Sequence, residues 1–262
     1  MFTYDSCAVL VTGAGGSIGT ALCAELVAKG AHVYGLARSE ESLLNIPPGV
    51  RRILGNTTDY ELMRRIMAHI DVVFHCAAHK HVSICEVNPG EARVNNVTGL
   101  ATVLRAARAH MVRDFVFLST DKAQNPTSVY GKTKAENEAQ IVYASRVSDI
   151  NYKIVRLCNV FNTSGSVLPK WRAQIAAGGP LTLSHPEATR YFMTMDQATA
   201  FLLAAPTTDG VGPHVPQGIE PTRLMDIAQD MIFDTDVKIE ITGLAPGERL
   251  HETLVVECRS DV

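Results

Sequence analysis

The sequence predicts an α/β protein built on a doubly wound parallel sheet, with a small lobe toward the C-terminus. Three observations carry this prediction. Short apolar runs of strand length alternate with helical patterns from residue 7 to about residue 157. The first run opens into a glycine-spaced turn and then a helix. The fifth run delivers a group of reactive side chains to the sheet edge where open α/β folds bind ligands. At 262 residues and 46% hydrophobic, the chain can bury a core of that size, as one large domain or one domain with a small lobe.

Residues 7–11 read as the first strand, and an apolar-periodic helix follows to about Lys29. Between them Gly13, Gly16 and Gly19 recur at every third position around Ser17 and Ile18. Glycine lets backbone approach a pyrophosphate, and a helix N-terminus offers unpaired N–H groups and partial positive charge. Strand, turn and helix together therefore predict dinucleotide binding. The second strand, residues 32–37, ends in Ala37-Arg38-Ser39. An acidic residue there would accept from a ribose 2′-hydroxyl, whereas a 2′-phosphate needs cations and donors. Arg38 and Ser39 argue for NADP over NAD, with Glu40 and Glu41 nearby pulling the other way. A third strand at residues 53–54 is followed by Asn56 and Thr57. The fourth, residues 72–76, leads to Ala77 and Ala78, small enough for a cofactor to lie across the backbone, and then to Lys80 beside a diphosphate or ribose. A long helix over residues 89–110 carries Asn96.

The chemistry concentrates in residues 119–134. Residues 115–118 are a buried fifth strand, so Ser119, Thr120, Asp121 and Lys122 emerge at its carboxyl end. Beyond Pro126 the pattern turns helical, which stacks Tyr130 and Lys134 on one face. A lysine ammonium beside a phenol stabilises the phenolate and brings a group of pKa about 10 toward working pH. Tyrosine and lysine also meet at this spacing on ordinary exposed helices. The pair gains its meaning by sharing a strand-to-helix unit with Asp121-Lys122 downstream of a nucleotide motif. After a sixth strand at residues 154–157 the alternation loses its regularity, which places a nucleotide-binding domain over residues 1–158 and a mainly substrate-binding lobe over 159–262. Residues 193–205 are expected to return to the main domain ahead of a helix at 197–204. Residues 206–221, rich in glycine and proline, read as a surface connection in the small lobe.

Thr120-Asp121-Lys122 with Tyr130 and Lys134 resembles the extended short-chain dehydrogenase/reductase superfamily of Rossmann folds. Within it the chain is similar to UDP-N-acetylglucosamine 4,6-dehydratases of bacterial polysaccharide and pseudaminic acid biosynthesis. Supporting segments are Thr12-Gly13-Ala14-Gly15-Gly16-Ser17-Ile18-Gly19, Ala77-Ala78-His79-Lys80-His81-Val82, Thr189-Arg190-Tyr191-Phe192-Met193-Thr194 and Pro246-Gly247-Glu248-Arg249-Leu250-His251-Glu252. The resemblance implies NADP as cofactor and a UDP-sugar as substrate. Tyr130 with Lys134 would take the C4 hydroxyl proton, Lys122 the C5 proton, and Asp121, kept protonated by burial, would protonate the departing C6 hydroxyl, with Thr120 positioning the hexose. Ser119 and Lys80 would border the cofactor, and Asn56 and Thr57 would lie at its adenine, an edge an asparagine amide can serve. Lys80, Asn159, Leu168, Lys170, Thr182, Arg190 and Arg249 are the implied substrate contacts, and Asn96 would help order the site. Relatives carry arginine before Pro-Gly-Glu where this chain has Ala245, which removes a cation from the expected diphosphate site. Relatives also continue beyond the position of Val262, so a tail closing over the sugar is expected to be absent or to come from another chain.

Two other readings share these residues. A UDP-hexose 4-epimerase uses the same Tyr-Lys pair but needs no acid and base for C5 and C6, so Asp121-Lys122 discriminates. A cofactor-binding regulatory protein with a dead site would have lost Tyr130 or Lys134. A net charge of −3 with 19% charged residues offers no field for nucleic acid. No apolar run reaches membrane-spanning length and Asp5 stands where a signal peptide would be positive, so a cytoplasmic protein is expected. The cysteines at 7, 23, 76, 85, 158 and 258 lack Cys-x-x-Cys spacing and read as reduced thiols. His75, His79 and His81 read as a polar rim beside a nucleotide rather than a metal site. The apolar faces of the helices at 89–110 and 130–146 predict a homo-oligomer, a dimer or larger.

Overall fold

A computed structural model of the chain describes residues 3–254, so Cys258 and the final residue lie outside it. The elements run β1 (Ala8–Thr12), α1 (Ser17–Ala28), β2 (His32–Ala37), α2 (Glu40–Leu44), β3 (Arg51–Leu54), α3 (Tyr60–Met67), β4 (Val72–His75), α4 (Val82–Val87), α5 (Pro89–Arg93), α6 (Gly99–His110), β5 (Asp114–Thr120), α7 (Val129–Arg146) and β6 (Asn151–Leu157). The remainder is β7 (Asn159–Val160), α8 (Val167–Ala176), β8 (Leu181–Leu183), β9 (Thr189–Met193), α9 (Met195–Ala204), β10 (Pro221–Arg223), α10 (Leu224–Ile232) and β11 (Ile239–Ile241).

Six parallel strands form the main sheet, as the strand and helix alternation predicts, and the structure orders them β3-β2-β1-β4-β5-β6. The order reverses between β1 and β4, and the crevice at that switch point is where such sheets bind dinucleotides. All seven residues of β5 are buried because helices cover both faces, which is why it reads as a continuous apolar run rather than an alternating one. On one face α1 and α9 pack over β1 and β4 through Leu22, Leu26, Ala198 and Leu202. On the other, α3, α6 and α7 pack over β4 and β5 through Met63, Leu100, Val103 and Ile141. Residues 193–205 thus share a core with the nucleotide-binding half. A third cluster around Trp171, Leu181 and Leu224 belongs to the small lobe, where Trp171 Nε1 donates to Thr182 O at 2.7 Å and so keeps its polar atom paired while fully buried.

Two segments differ from the expectation. The helical stretch at 89–110 is interrupted by a π-helical turn over Val94–Thr98. Its wider winding turns Asn95 and Asn96 inward, where Asn96 Oδ1 accepts from His79 N at 2.7 Å and its Nδ2 donates to His79 O and Thr133 Oγ1, both at 3.0 Å. Such turns are frequent at functional sites. Residues 206–221 are not a connection within the small lobe. They run beside β6, with Ile154 N donating to Val211 O, His214 N to Ile154 O and Arg156 N to His214 O, and so satisfy a sheet edge that would otherwise stand open.

Candidate active site

One continuous cleft of about 960 Å³ runs from the glycine turn across the carboxyl ends of β1, β4 and β5 into the small lobe. Gly13 has φ +70°, and a Cβ there would come within 2.8 Å of Ala77 N, so only glycine lets the first turn lie against the end of β4. Gly16 caps α1 without any side-chain bond to the helix's first N–H groups, and no acidic residue occupies the first turn. Unpaired N–H groups, the dipole end and the small Ala77 and Ala78 at the cleft wall fit a dinucleotide diphosphate. Ser17 Oγ lies 3.1 Å from Ser164 Oγ and accepts from Ser164 N at 3.0 Å, while Lys80 Nζ donates to Ser164 O at 2.7 Å, so a small-lobe loop closes over this end. Ile18, Gly19, Asn56 and Thr57 also line the cleft.

Arg38 lines it too, its guanidinium donating to Asn95 Oδ1 at 3.3 Å and lying 3.0 Å from His79 Nε2. Ser39 takes another role: its Oγ caps α2 by accepting from Ser42 N, and Ser42 rather than Ser39 lines the cleft here. His75 is no part of a rim. It is buried between Phe115 and Phe117 with Nδ1 3.0 Å from Thr12 Oγ1, and burial, aided by the Lys134 charge, pushes its pKa down to about 3. Among the described residues no group of three His, Cys, Asp or Glu side chains is arranged to hold a metal.

At the end of β5 the chain makes a 3₁₀ turn over Asp121–Ala123, and α7 starts against it with Ser128 as N-cap. A Cβ on Gly131 would meet Lys122 O at 2.4 Å, so the glycine next to Tyr130 lets the helix press onto the turn. Thr120 and Lys122 line the cleft, and Asp121 lies behind them, 2% exposed. Thr120 Oγ1 donates to Asp121 Oδ1 at 2.7 Å, and Lys122 Nζ donates to the same oxygen at 3.2 Å. Burial raises the Asp121 pKa, an effect that Lys122 opposes and Glu252 reinforces. Burial would lower Lys122, but the Asp121 and Glu252 carboxylates outweigh it and hold the ammonium above its usual value. Burial pushes the Tyr130 phenol up to about 12, with Lys122 the cation working against the rise.

Lys134 stands differently from the expected phenolate partner. Its Nζ donates to Leu118 O at 2.6 Å and lies 4.6 Å over the Phe117 ring, and burial brings its pKa down to about 8. Ser119 Oγ donates to Glu138 Oε1 at 2.6 Å, which Arg156 also binds, so this hydroxyl braces α7 against β6.

A family model described as polysaccharide biosynthesis protein matches residues 9–261. The chain belongs to this family. It is 37% identical over 266 residues to the probable polysaccharide biosynthesis protein EpsC of Bacillus subtilis, covering 94% of this chain and 44% of that protein. The chain thus spans less than half the length of this relative. UDP-glucose 4-epimerase of Rickettsia canadensis is 30% identical over 262 residues, covering 94% of this chain and 77% of the epimerase. UDP-N-acetylglucosamine 4,6-dehydratase (inverting) of Campylobacter jejuni is 30% identical over 212 residues, covering 79% and 63%. The structure of Pen from Bacillus thuringiensis superposes with a TM-score of 0.91 at 31% identity, over 98% of this chain and 83% of that one. The fold of this family member is that of the short-chain dehydrogenase/reductases.

The family's small-lobe positions fall into two groups here. Lys170 and Thr182 line the cleft, though Thr182 Oγ1 also accepts from Gln174 at 2.9 Å. Leu168 does not line it; α8 turns this side chain into the apolar core with Trp171. Arg190 is buried and committed to the carbonyls of Thr189 and Leu250 and the carboxylates of Glu248 and Glu252, so its charge is balanced within the protein. Arg249 binds Gln124 O, Asn125 O and Thr127 Oγ1 and ties the loop before α7 to the Pro-Gly-Glu segment. Asn159 joins the acid–base cluster: its Oδ1 accepts from Lys122 Nζ at 3.3 Å and its Nδ2 donates to Glu252 Oε2 at 2.6 Å. Glu252 was not among the residues singled out from sequence. The His251-Glu252 end of the Pro-Gly-Glu segment was the available signal, but only the fold carries it 130 residues back to Lys122, at 2.7 Å.

Proposed function

We propose that the chain is a nucleotide-sugar 4,6-dehydratase that acts on UDP-N-acetylglucosamine or a close UDP-N-acetylhexosamine with NADP as resident cofactor. The observation that carries this reading is the Asp121-Lys122 pair beside Tyr130 at the switch-point cleft, an acid and a base that exchange at C4 alone does not require. The Campylobacter relative of that activity supports it. Bound across the glycine turn and the Ala77-Ala78 wall, the nicotinamide would accept a hydride from C4 and return it to C6. Tyr130 takes the C4 hydroxyl proton, and the resulting 4-ketone acidifies the C5 hydrogen. Lys122 removes that proton. Asp121 supplies a proton to the C6 hydroxyl, which leaves as water, with Thr120 bonded to Asp121 at the cleft wall between them. Lys134, four residues after Tyr130 on α7, donates to Leu118 O on the strand that leads into this site.

The relative named a UDP-glucose 4-epimerase favours a second reading, interconversion at C4. Incubation with UDP-N-acetylglucosamine and NMR of the product separates the two. A 4-keto-6-deoxy sugar is the expected product, and a C4 epimer as sole product replaces the dehydratase reading with the epimerase one.

A further inference from the structure

Lys122 can serve as a base only as a free amine, yet it lies between two carboxyls that favour its ammonium form. The proton must have somewhere to go. Glu252 lines the cleft, is 7% exposed, and places Oε1 2.7 Å from Lys122 Nζ. Its other oxygen accepts from Asn159 at 2.6 Å, and Arg190 Nε stands 3.4 Å from Oε1, so the carboxylate is held on both sides. Lys122 Nζ thus bridges the two carboxyls, 3.2 Å from Asp121 Oδ1 and 2.7 Å from Glu252 Oε1. The charged and titratable groups facing this cluster are Lys122 and Asp121 after β5, Tyr130 on α7, Cys158 after β6 and Arg190 on β9, with Glu248 reached through Arg190.

We infer that Glu252 is a positioning residue that takes the proton of Lys122 across their 2.7 Å contact, frees the amine for C5, and then hands that proton back as Lys122 reprotonates Asp121. The inference rests on the dehydratase reading. The resting cluster is a Lys122 ammonium, an Asp121 acid and a Glu252 carboxylate. Transfer from Lys122 to Glu252 leaves an amine and two acids. The amine takes the C5 proton, the C5–H electron pair becomes the C5–C6 double bond, and the C6–O bond breaks as Asp121 protonates the departing hydroxyl. Lys122, within bonding distance of both carboxyls, then passes a proton to Asp121 and takes the one held by Glu252, and the resting cluster is restored. When C6 is reduced, Lys122 returns a proton to C5, and the proton that Tyr130 took from the C4 hydroxyl replaces it through solvent. One water leaves per turnover and no proton is gained or lost. The charges fix the resting cluster: burial opposes ionisation of Glu252, but Lys122 and Arg190 outweigh it and hold the carboxylate, while burial raises Asp121.

The test is C5 deuterium exchange into the 4-keto sugar, followed by NMR from pH 6 to 9 on the holoenzyme, for wild type, Glu252→Gln and Glu252→Asp. Thermal melting and cofactor content are measured on the same samples. Wild-type exchange is expected to show no rising limb with pH, only the fall that follows loss of the Asp121 acid, because Lys122 and Glu252 share one proton internally. Glu252→Gln is expected to lose about 10²-fold at neutral pH and to rise about tenfold per pH unit, because the amine then forms only by proton loss to solvent. Cofactor content and C4 oxidation per folded enzyme should stay near wild type, and melting separates any loss of fold on breaking the buried pair from a loss of exchange. Glu252→Asp keeps a carboxylate and should show an intermediate rate without a rising limb, which also decides the matter if the glutamine variant does not fold. A rising profile in the aspartate variant, or wild-type exchange in the glutamine variant of an enzyme that dehydrates, overturns the inference while the dehydratase reading stands. A wild-type protein that yields only C4 epimers overturns both.

Discussion

Lys122 sits within bonding distance of Asp121 and Glu252, and the protonation of this cluster decides which step each pH favours. Asp121→Asn and Lys122→Ala are expected to stop dehydration by about 10²- to 10⁴-fold yet spare cofactor binding and C4 oxidation. Tyr130→Phe should block oxidation itself. Single-turnover cofactor absorbance beside product NMR checks this, and near wild-type dehydration by both Asp121→Asn and Lys122→Ala refutes the assignment. The two half-reactions should also respond to pH in opposite senses. The Tyr130 phenol is pushed up to about 12 by burial, so its phenolate fraction and the oxidation rate rise with pH through the neutral range. Asp121 is raised by burial, so its acid form, and with it water loss, survives above the usual carboxylate range and falls as pH climbs through the raised value. A bell-shaped overall rate follows, and a rate independent of pH from 5 to 9 contradicts it.

His75 makes a stability statement of the same kind. Its folded pKa of about 3 lies below the ordinary value of 6.5, so the unfolded chain binds the extra proton between them. The stabilisation is complete above 6.5 and is lost as pH falls toward 3, by roughly 5 kcal/mol at most. Urea unfolding from pH 4 to 7 should show that limb in wild type and a shallower one in His75→Gln. Arg38 bears on cofactor choice. Arg38→Ala should weaken NADP binding with little effect on NAD, measured by titration calorimetry and by extracting the bound cofactor; NAD alone in the extract removes the basis for the NADP proposal.

At the scale of elements, the π-helical turn is the device that orders the segment after β4. Asn96→Ala would leave the His79 N–H and carbonyl without these bonds, at a cost of about 1–3 kcal/mol for each buried group left unsatisfied. A lower melting temperature and weaker dinucleotide binding are expected together. Unchanged values for both would mean that the turn does not support the cofactor wall. The apolar spacing from 89 to 110 was sufficient to read a helix of the right length. It carried no trace of the extra residue in the turn, because winding is set by backbone bonding and by what Asn96 meets across the fold. Ser39 illustrates the same limit: the residue was correctly placed after β2, but capping of α2 claims its hydroxyl.

For the whole molecule, the open question is what covers the outer faces of α4, α5 and α7. Val87 and Tyr143 are 76% and 66% exposed, with Ile84, Val94 and Val147 also exposed, whereas Arg93 and Glu136 already pair across α5 and α7. The expectation is a second copy of the chain. Light scattering at micromolar concentration should give at least a dimer mass, and Tyr143→Glu with Val147→Glu should shift it to monomer; a monomeric wild type refutes the assignment of these faces.

The sequence by itself determined the parallel α/β sheet, the glycine turn and the position of Thr120, Asp121, Lys122, Tyr130 and Lys134 on one strand-to-helix unit. These are local matters: hydrophobic period, turn chemistry and residues a few positions apart, whose geometry neighbouring backbone sets. Only the tertiary structure decided what each charge faces. It turned Leu168 into the core, neutralised Arg190 internally, drew Asn159 to Lys122, directed Lys134 to Leu118 O and brought Glu252 to the acid–base cluster. Electrostatic environment depends on burial and on partners distant in sequence, and no spacing along the chain encodes which carboxylate will stand 2.7 Å from a lysine.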